Sequence, residues 1–284
     1  RFYLEKNMGT FLCRMIWSNG MVFGIVPKTI FLLSHPIFDH LTSGKMKPFI
    51  LLCLLSLPLA SSFCQGKREL RGVWITTQFN LDWPSKAGLS TEEQKAELIG
   101  IYDKLQSLNF NSVFLQIRGA GDALYPSAYV PWSKVLTGKS GNPPFPLYDP
   151  LAFALKEAHK RGRECHAWMN PFRIAQNLDV ALLHPKHVFL QHPEWCLAYG
   201  GKRYLDPGIP AAREYIIRVV AEVVRQYNLD GLHFDDYFYP YPYQGQAFPD
   251  TASFKAFNPD SLSLEDWRRE NINLFIEGIR DNTV

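Results

Sequence analysis

The chain has 284 residues, 46% hydrophobic and 20% charged, enough apolar material for a sizeable core and too much for intrinsic disorder. The formal charge is +3, yet residues 1–66 hold six Lys/Arg against two Asp/Glu, so residues 67–284 are net −1, which argues against a nucleic-acid-binding face. Cysteines at 13, 53, 64, 165 and 196 are too sparse for a disulfide scaffold and show no C-x-x-C metal pairing.

Residues 1–45 begin with Arg1 and mix apolar stretches with Arg14, Asn19, Lys28 and His35 without a period. They read as a non-native upstream extension. From Met46 the sequence runs MKPFILLCLLSLPLASSFCQGKREL, with a charged start at Lys47, an apolar run from Phe49 to Ala60, and then small residues. This is the pattern of a secretory signal peptide over 46–66, cleaved within 60–66, and it predicts export to the periplasm or cell envelope. The run is shorter than the roughly 17–25 residues of a spanning helix, so no transmembrane span is expected in the mature chain. Cys64 offers lipidation as an alternative, but the bulky Phe63 stands where a small residue is normally required.

From Leu70 onward β-rich runs alternate with helical periods. LRGVWITT (70–77) predicts a strand, and Ser90 with Glu93 forms a capping box that opens a helix with Leu98, Ile101, Leu105 and Leu108 on one face. SVFLQIR (112–118) is the second strand. After a Gly/Pro-rich loop, Asp149-Pro150 caps a helix that Gly162 ends, and ECHAWMN (164–170) is the third strand. A helix from Pro210 to Tyr227 buries Ile216, Val220, Val223 and Tyr227; Asp230-Gly231 then turns into a fourth strand, LHFDDYF (232–238). Ser263 with Asp266 opens a last helix carrying Ile272, Phe275, Ile276 and Ile279.

Four βα units in succession imply parallel strands joined by right-handed crossovers. Long loops follow the strands and short ones follow the helices, which places a functional site at the carboxyl ends of the strands. A doubly wound sheet would carry a glycine-rich loop after its first strand, where this chain reads TTQFNLDWP. The expected fold is therefore α/β of the (β/α)8 TIM-barrel type with about the first four units present. Residues 67–284 would be its N-terminal half, with open edges on strands one and four.

Strand alternation puts His233 and Asp235 on one side and Phe234 and Asp236 on the other. With Leu232 and Phe234 toward the helices, Asp235 is a carboxylate at the barrel mouth, suited to act as nucleophile or electrostatic stabiliser in glycoside hydrolysis; Asp236 is the second choice. The same parity groups Gln116 with Arg118, and His166 with Trp168 and Asn170. Arg118 and Asn170 could hold sugar hydroxyls or orient the carboxylate, with Asp122 and Arg173 just beyond. His166 could instead sit low as a satisfied core histidine. Trp132, Trp168, Trp195 and the run from Tyr237 through Tyr239 to Tyr243 would ring the mouth with aromatic faces suited to pyranose C–H groups.

The stretches LRGVWITT, FLQIRGAGDALYPSAYVPWS, HAWMNPFR, LDPGIPAAREYIIRVV and DGLHFDDYFYP resemble the bacterial glycosyl-hydrolase-like ten family across nearly all of residues 69–240. The resemblance implies a barrel glycosidase fold, an envelope location and a polysaccharide or oligosaccharide substrate, with peptidoglycan glycan strands the leading candidate. D-G-x-H-x-D is also similar to the fourth-strand nucleophile motif of retaining α-amylase-type barrels, which carries over to Asp235. The alternatives are a carbohydrate-binding barrel without turnover and a metal-dependent hydrolase or deacetylase using His166, His233, Asp235 and Asp236. No H-x-H or H-E-x-x-H pairing presets a zinc site, so neither metal nor cofactor is expected. In retaining enzymes of this kind the general acid comes from a later strand; Asp250, Asp260 and Glu265 sit in a loop or at a helix start, so the acid is expected beyond residue 284.

Overall fold

The computed structural model describes the backbone of residues 2–7 and 10–15 and, in full, residues 69–235 and 238–283. Two compact units divide the chain, Arg1–Ile16 with Arg71–Val284 and Trp17–Leu70, and nearly all described residues belong to the first. The predicted signal peptide with Cys64, and the site candidates Asp236 and Tyr237, lie outside the described residues.

A hairpin of β1 (Phe2–Asn7) and β2 (Thr10–Met15) is followed by β3 (Gly72–Ile75) and helix α1 (Thr91–Ser107). The Ser90/Glu93 capping box opens α1 as its sequence predicts: the Glu93 N–H donates to Ser90 Oγ, and the Ser90 N–H to the Glu93 carboxylate. Next come β4 (Ser112–Arg118), the short helix α2 (Lys134–Thr137) and α3 (Pro150–Lys160). Asp149 caps α3 by accepting from the Ala152 N–H, and Pro150 occupies its first turn, where a missing N–H costs nothing. Strand β5 (Glu164–Met169) leads into β6 (Arg173–Ala175), the short α4 (Val188–Gln191), β7 (Cys196–Tyr199) and β8 (Lys202–Leu205). Helix α5 (Pro210–Gln226), strand β9 (Gly231–Phe234), the short α6 (Thr251–Ala256) and α7 (Leu264–Thr283) complete the order.

The main sheet runs β2-β1-β9-β5-β4-β3. Its four strands from the predicted βα units pair in parallel, β3 with β4, β4 with β5 and β5 with β9. Alternation along them holds except at the end of β4, where a bulge lies between Gln116 and Arg118. Ile75, Val113, Leu115, Ile117, Cys165, Ala167, Met169, Leu232 and Phe234 enter one core with Leu98 of α1, Leu155 of α3, Ile216 and Val220 of α5 and Phe275 of α7.

Three expectations are corrected. Leu108 belongs to no apolar stripe, because α1 ends at Ser107 and Leu108 is exposed. Strand four stops at Phe234 instead of running to residue 238. The open edge expected on that strand is filled: Phe2–Glu5 of β1 pair antiparallel with Gly231–Phe234, since an edge row of free N–H and C=O groups is a template for any extended segment. Sequence reasoning also gave no sign of the small antiparallel sheet β6-β8-β7, which stands in the long loop after β5.

Candidate active site

The face of the parallel strands turned away from the helices carries Trp74 on β3, Phe114 and Gln116 on β4, His166 and Trp168 on β5 and His233 on β9. Their neighbours along the strands, odd-numbered on β3, β4 and β5 and even-numbered on β9, fill the core or pack against it. One step beyond β5 and β9, at the carboxyl ends, Asn170 and Asp235 continue this face.

Gln116 is the hub of the strand ends. Its Oε1 accepts from Thr76 Oγ1 at 2.7 Å and from the main-chain N–H groups of Thr77 at 2.9 Å and Gln78 at 3.0 Å. Its Nε2 donates to Asn170 Oδ1 at 2.7 Å, and Asn170 Nδ2 donates in turn to Asp235 Oδ1. Gln116 and Asn170 are buried and Asp235 is half-buried. One hydrogen-bonded chain therefore crosses all four parallel strand ends and finishes on a carboxylate that retains a path to solvent.

Below this chain the two histidines are held differently. The Trp74 indole N–H donates to His233 Nε2 at 3.0 Å. An indole N–H can only donate, so that nitrogen carries no proton and His233 is a neutral imidazole in this contact. The Trp168 ring meets His233 edge-on at 6.2 Å, and its own indole N–H is buried without a hydrogen-bond partner among the described residues. His166 is fully buried, stacked on Phe114 at 5.0 Å and within 3.0 Å of Glu164 Oε2. It pairs in register with Gly231, at the opposite end of β9 from Asp235. His166 is thus the satisfied core histidine and does not reach the mouth.

Arg118 leaves the group in which parity placed it. A β-bulge between Gln116 and Arg118 breaks the alternation, and Arg118 is buried near Tyr215, Tyr125 and Asp122. Burial pulls its guanidinium below the ordinary value, opposed by those three groups. Its Nη1 donates to the main-chain carbonyls of Asn170 at 2.6 Å and Pro171 at 3.0 Å. Asp122 accepts from the Ser133 hydroxyl and the Lys134 N–H, and burial raises its carboxyl above the usual range. Arg173 Nε donates to the Gly119 carbonyl at 3.1 Å. These three tie the loops after β4 and β5 together.

The aromatic ring of the mouth is only partly realised. Tyr239 packs on Phe248 at 5.7 Å and its hydroxyl accepts from Asn271 Nδ2, so it anchors α7 instead of standing at the site. Trp195 stacks on His192 at 3.6 Å, and Trp132 packs against the core. Tyr241 and Tyr243 are exposed. Asp250 is spent in a buried bidentate pair with Arg268. Among the described residues no three His, Cys, Asp or Glu side chains gather in a group that could hold a metal ion.

The model of the Glycosyl hydrolase-like 10 family matches residues 69–283. The chain belongs to the Glycosyl hydrolase-like 10 family. The resemblance read from residues 69–240 therefore holds and extends through α7. Glycosyl hydrolase YngK of Bacillus subtilis is 48% identical over 228 residues, which are 80% of this chain and 44% of that protein. Glycosyl hydrolase DigH of Escherichia coli K12 is 39% identical over 228 residues, 75% of this chain and 51% of that one. The chain spans about half the length of these curated relatives. Among solved structures, alpha-L-fucosidase isoenzyme 2 from Paenibacillus thiaminolyticus aligns at 16% identity and a TM-score of 0.48, over 76% of this chain and 30% of that one.

Trp74 was absent from the sequence-derived site of this Glycosyl hydrolase-like 10 chain, and Gln116, which parity grouped with Arg118, was given no role in it. The signal for Gln116 was present: it is the polar residue inside SVFLQ, a run buried at every position, and a buried amide demands partners. Trp74 gave none, because a tryptophan in a strand is ordinarily core.

Proposed function

We propose that this protein is an exported glycoside hydrolase acting on a bacterial polysaccharide, with peptidoglycan glycan strands the leading substrate and Asp235 its nucleophile or stabilising carboxylate. The observation that carries the reading is Asp235 itself: a half-buried carboxylate just past the end of the fourth parallel strand, held by the Asn170 amide, where (β/α) enzymes put their chemistry. Membership of a glycosyl hydrolase-like family and two relatives named glycosyl hydrolases support it. The four parallel βα units are read as part of a (β/α)8 barrel. Trp168, a half-buried ring on the same side as Asp235, suits a pyranose. The Lys47 and Phe49–Ala60 pattern supports export.

The test is release of reducing ends from purified, peptide-stripped glycan. In a protein of its relatives' full length Asp235→Asn should abolish it, and undiminished hydrolysis in that variant would remove Asp235 from its role. Glycan binding with no product from a full-length relative would instead favour a carbohydrate-binding protein without turnover.

A further inference from the structure

We propose that Gln116 is a positioning residue that fixes the orientation of the Asn170 amide and thereby holds Asp235 as an ionised hydrogen-bond acceptor. Main-chain N–H groups can only donate, and those of Thr77 and Gln78 both point at one end of the Gln116 amide, at 2.9 and 3.0 Å. That end is therefore the oxygen. The other end is the NH2 group, so the Asn170 atom 2.7 Å from it must be the acceptor Oδ1. Asn170 is then left to present its own NH2 group to Asp235 Oδ1.

Turning either amide over would set donor against donor and acceptor against acceptor in a buried site, which costs the full desolvation of each unpaired group. The polarity thus runs in one direction, from the main chain after β3, across β4 and β5, to the end of β9. An amide donor on a carboxylate oxygen favours the charged form. Neither amide titrates, so the orientation does not change with pH.

Among the described residues, the titratable groups on the same face are His233 on β9 and, on β5, His166 with its partner Glu164. Arg118, from β4, reaches the Asn170 carbonyl, and Arg173 follows β5. None of these is altered by a change at Gln116. The bearing on catalysis rests on the reading of Asp235 given above: an ionised acceptor serves as nucleophile or stabilising carboxylate and leaves the role of general acid to another group.

The test is a carbon-detected NMR titration of the full 284-residue chain labelled at its aspartate carboxyls, with the Asp235 signal assigned by its loss in Asp235→Asn. Gln116→Glu keeps an acceptor for residues 76–78 and, when ionised, has no donor, so Asn170 turns its NH2 group toward residue 116 and its oxygen toward Asp235. The new charge also raises the Asp235 carboxyl by repulsion, and the charge-neutral Asn170→Ala separates that effect from loss of the amide donor. The wild-type Asp235 carboxyl should titrate below the ordinary value of about 4. In Gln116→Glu it should move up by about one unit or more, a tenfold change in proton affinity. Asn170→Ala, which deletes the donor outright, should shift it the same way and serves if Gln116→Glu does not fold. A wild-type titration at or above the ordinary value, or an Asp235 signal unmoved in these variants, overturns the proposal. Shifted titrations with undiminished hydrolysis in Asp235→Asn would leave the relay standing and remove only the catalytic assignment.

Discussion

Phe275 on α7 is fully buried, with ring centroids 5.0 Å from Phe172, 5.9 Å from Phe234 and 6.1 Å from Phe238. Phe234 is the residue before Asp235, so this cluster is the packing behind the proposed catalytic strand end. Phe275→Ala removes an apolar transfer contribution of about 1.5–3 kcal/mol. It also leaves a cavity that three rings, on a strand and two separate loops, cannot easily collapse into, which brings the expected loss to about 3–5 kcal/mol. The three edge-to-face ring pairs place it in the upper half of that range. Against a total stability of about 5–15 kcal/mol, such a loss is readily measured by urea unfolding at pH 7, followed through the tryptophans and read at a fixed m-value. Phe275→Leu fills most of the space and should cost about 1–1.5 kcal/mol. A loss below about 1.5 kcal/mol for the alanine variant would show that α7 does not dock behind Asp235, and the reasoning from the cluster would fail.

A Cβ at Gly208 would lie 2.2 Å from Cη2 and 2.7 Å from Cζ2 of Trp267, whose ring is buried and pinned by its indole N–H on the Phe257 carbonyl. Gly208→Ala should therefore destabilise by about 1–3 kcal/mol through overpacking, and an unchanged urea midpoint would mean the ring is free to yield. His187 is buried, accepts the Phe189 N–H at Nδ1 and lies 3.1 Å from the Ile174 carbonyl at Nε2; burial pulls its pKa from 6.5 down to about 4. Between those values the unfolded chain binds a proton that the fold refuses. The stability it contributes is thus complete above pH 6.5 and lost as pH falls toward 4, by about 3 kcal/mol. His187→Asn keeps an acceptor for the helix cap and should flatten the dependence of unfolding free energy over that interval; an equal slope in wild type and variant would refute the assignment.

The parallel units were legible because their signals are local and redundant. Ser90 with Glu93 and Asp149 with Pro150 mark helix starts that the structure reproduces with the expected bonds, and SVFLQIR is a strand over its whole length. Asp235 was legible for the same reason, since the parity of Leu232 and Phe234 is set by the core they join. What the sequence hid depends on contacts far along the chain. Strand β1 pairs with β9 across more than two hundred residues, and nothing in the composition of either segment announces the other. The strands β6, β7 and β8 are three or four residues each, too short for alternation to stand out from a loop. Tyr239 looked like part of an aromatic mouth because its partners Asn271 and Phe248 lie on a helix and a loop that period analysis cannot bring together.

The β4 bulge shows why one misplaced residue matters to the site. With unbroken alternation Gln116 and Arg118 would share a face and compete for the same space above β5. With the bulge they approach Asn170 from different directions: Gln116 takes its side-chain oxygen, and Arg118 takes its main-chain carbonyl together with that of Pro171. The Asn170 N–H is meanwhile held by the Arg118 carbonyl at 2.8 Å. Main chain and side chain of Asn170 are thus fixed independently, one by an ion held without solvent and the other by an amide whose orientation the main chain after β3 dictates. A bulge at a strand end commonly re-aims one side chain. Here it frees the inner face for the amide relay by sending the cation elsewhere, and Asp235 meets a neutral donor, the Asn170 amide, within hydrogen-bonding reach.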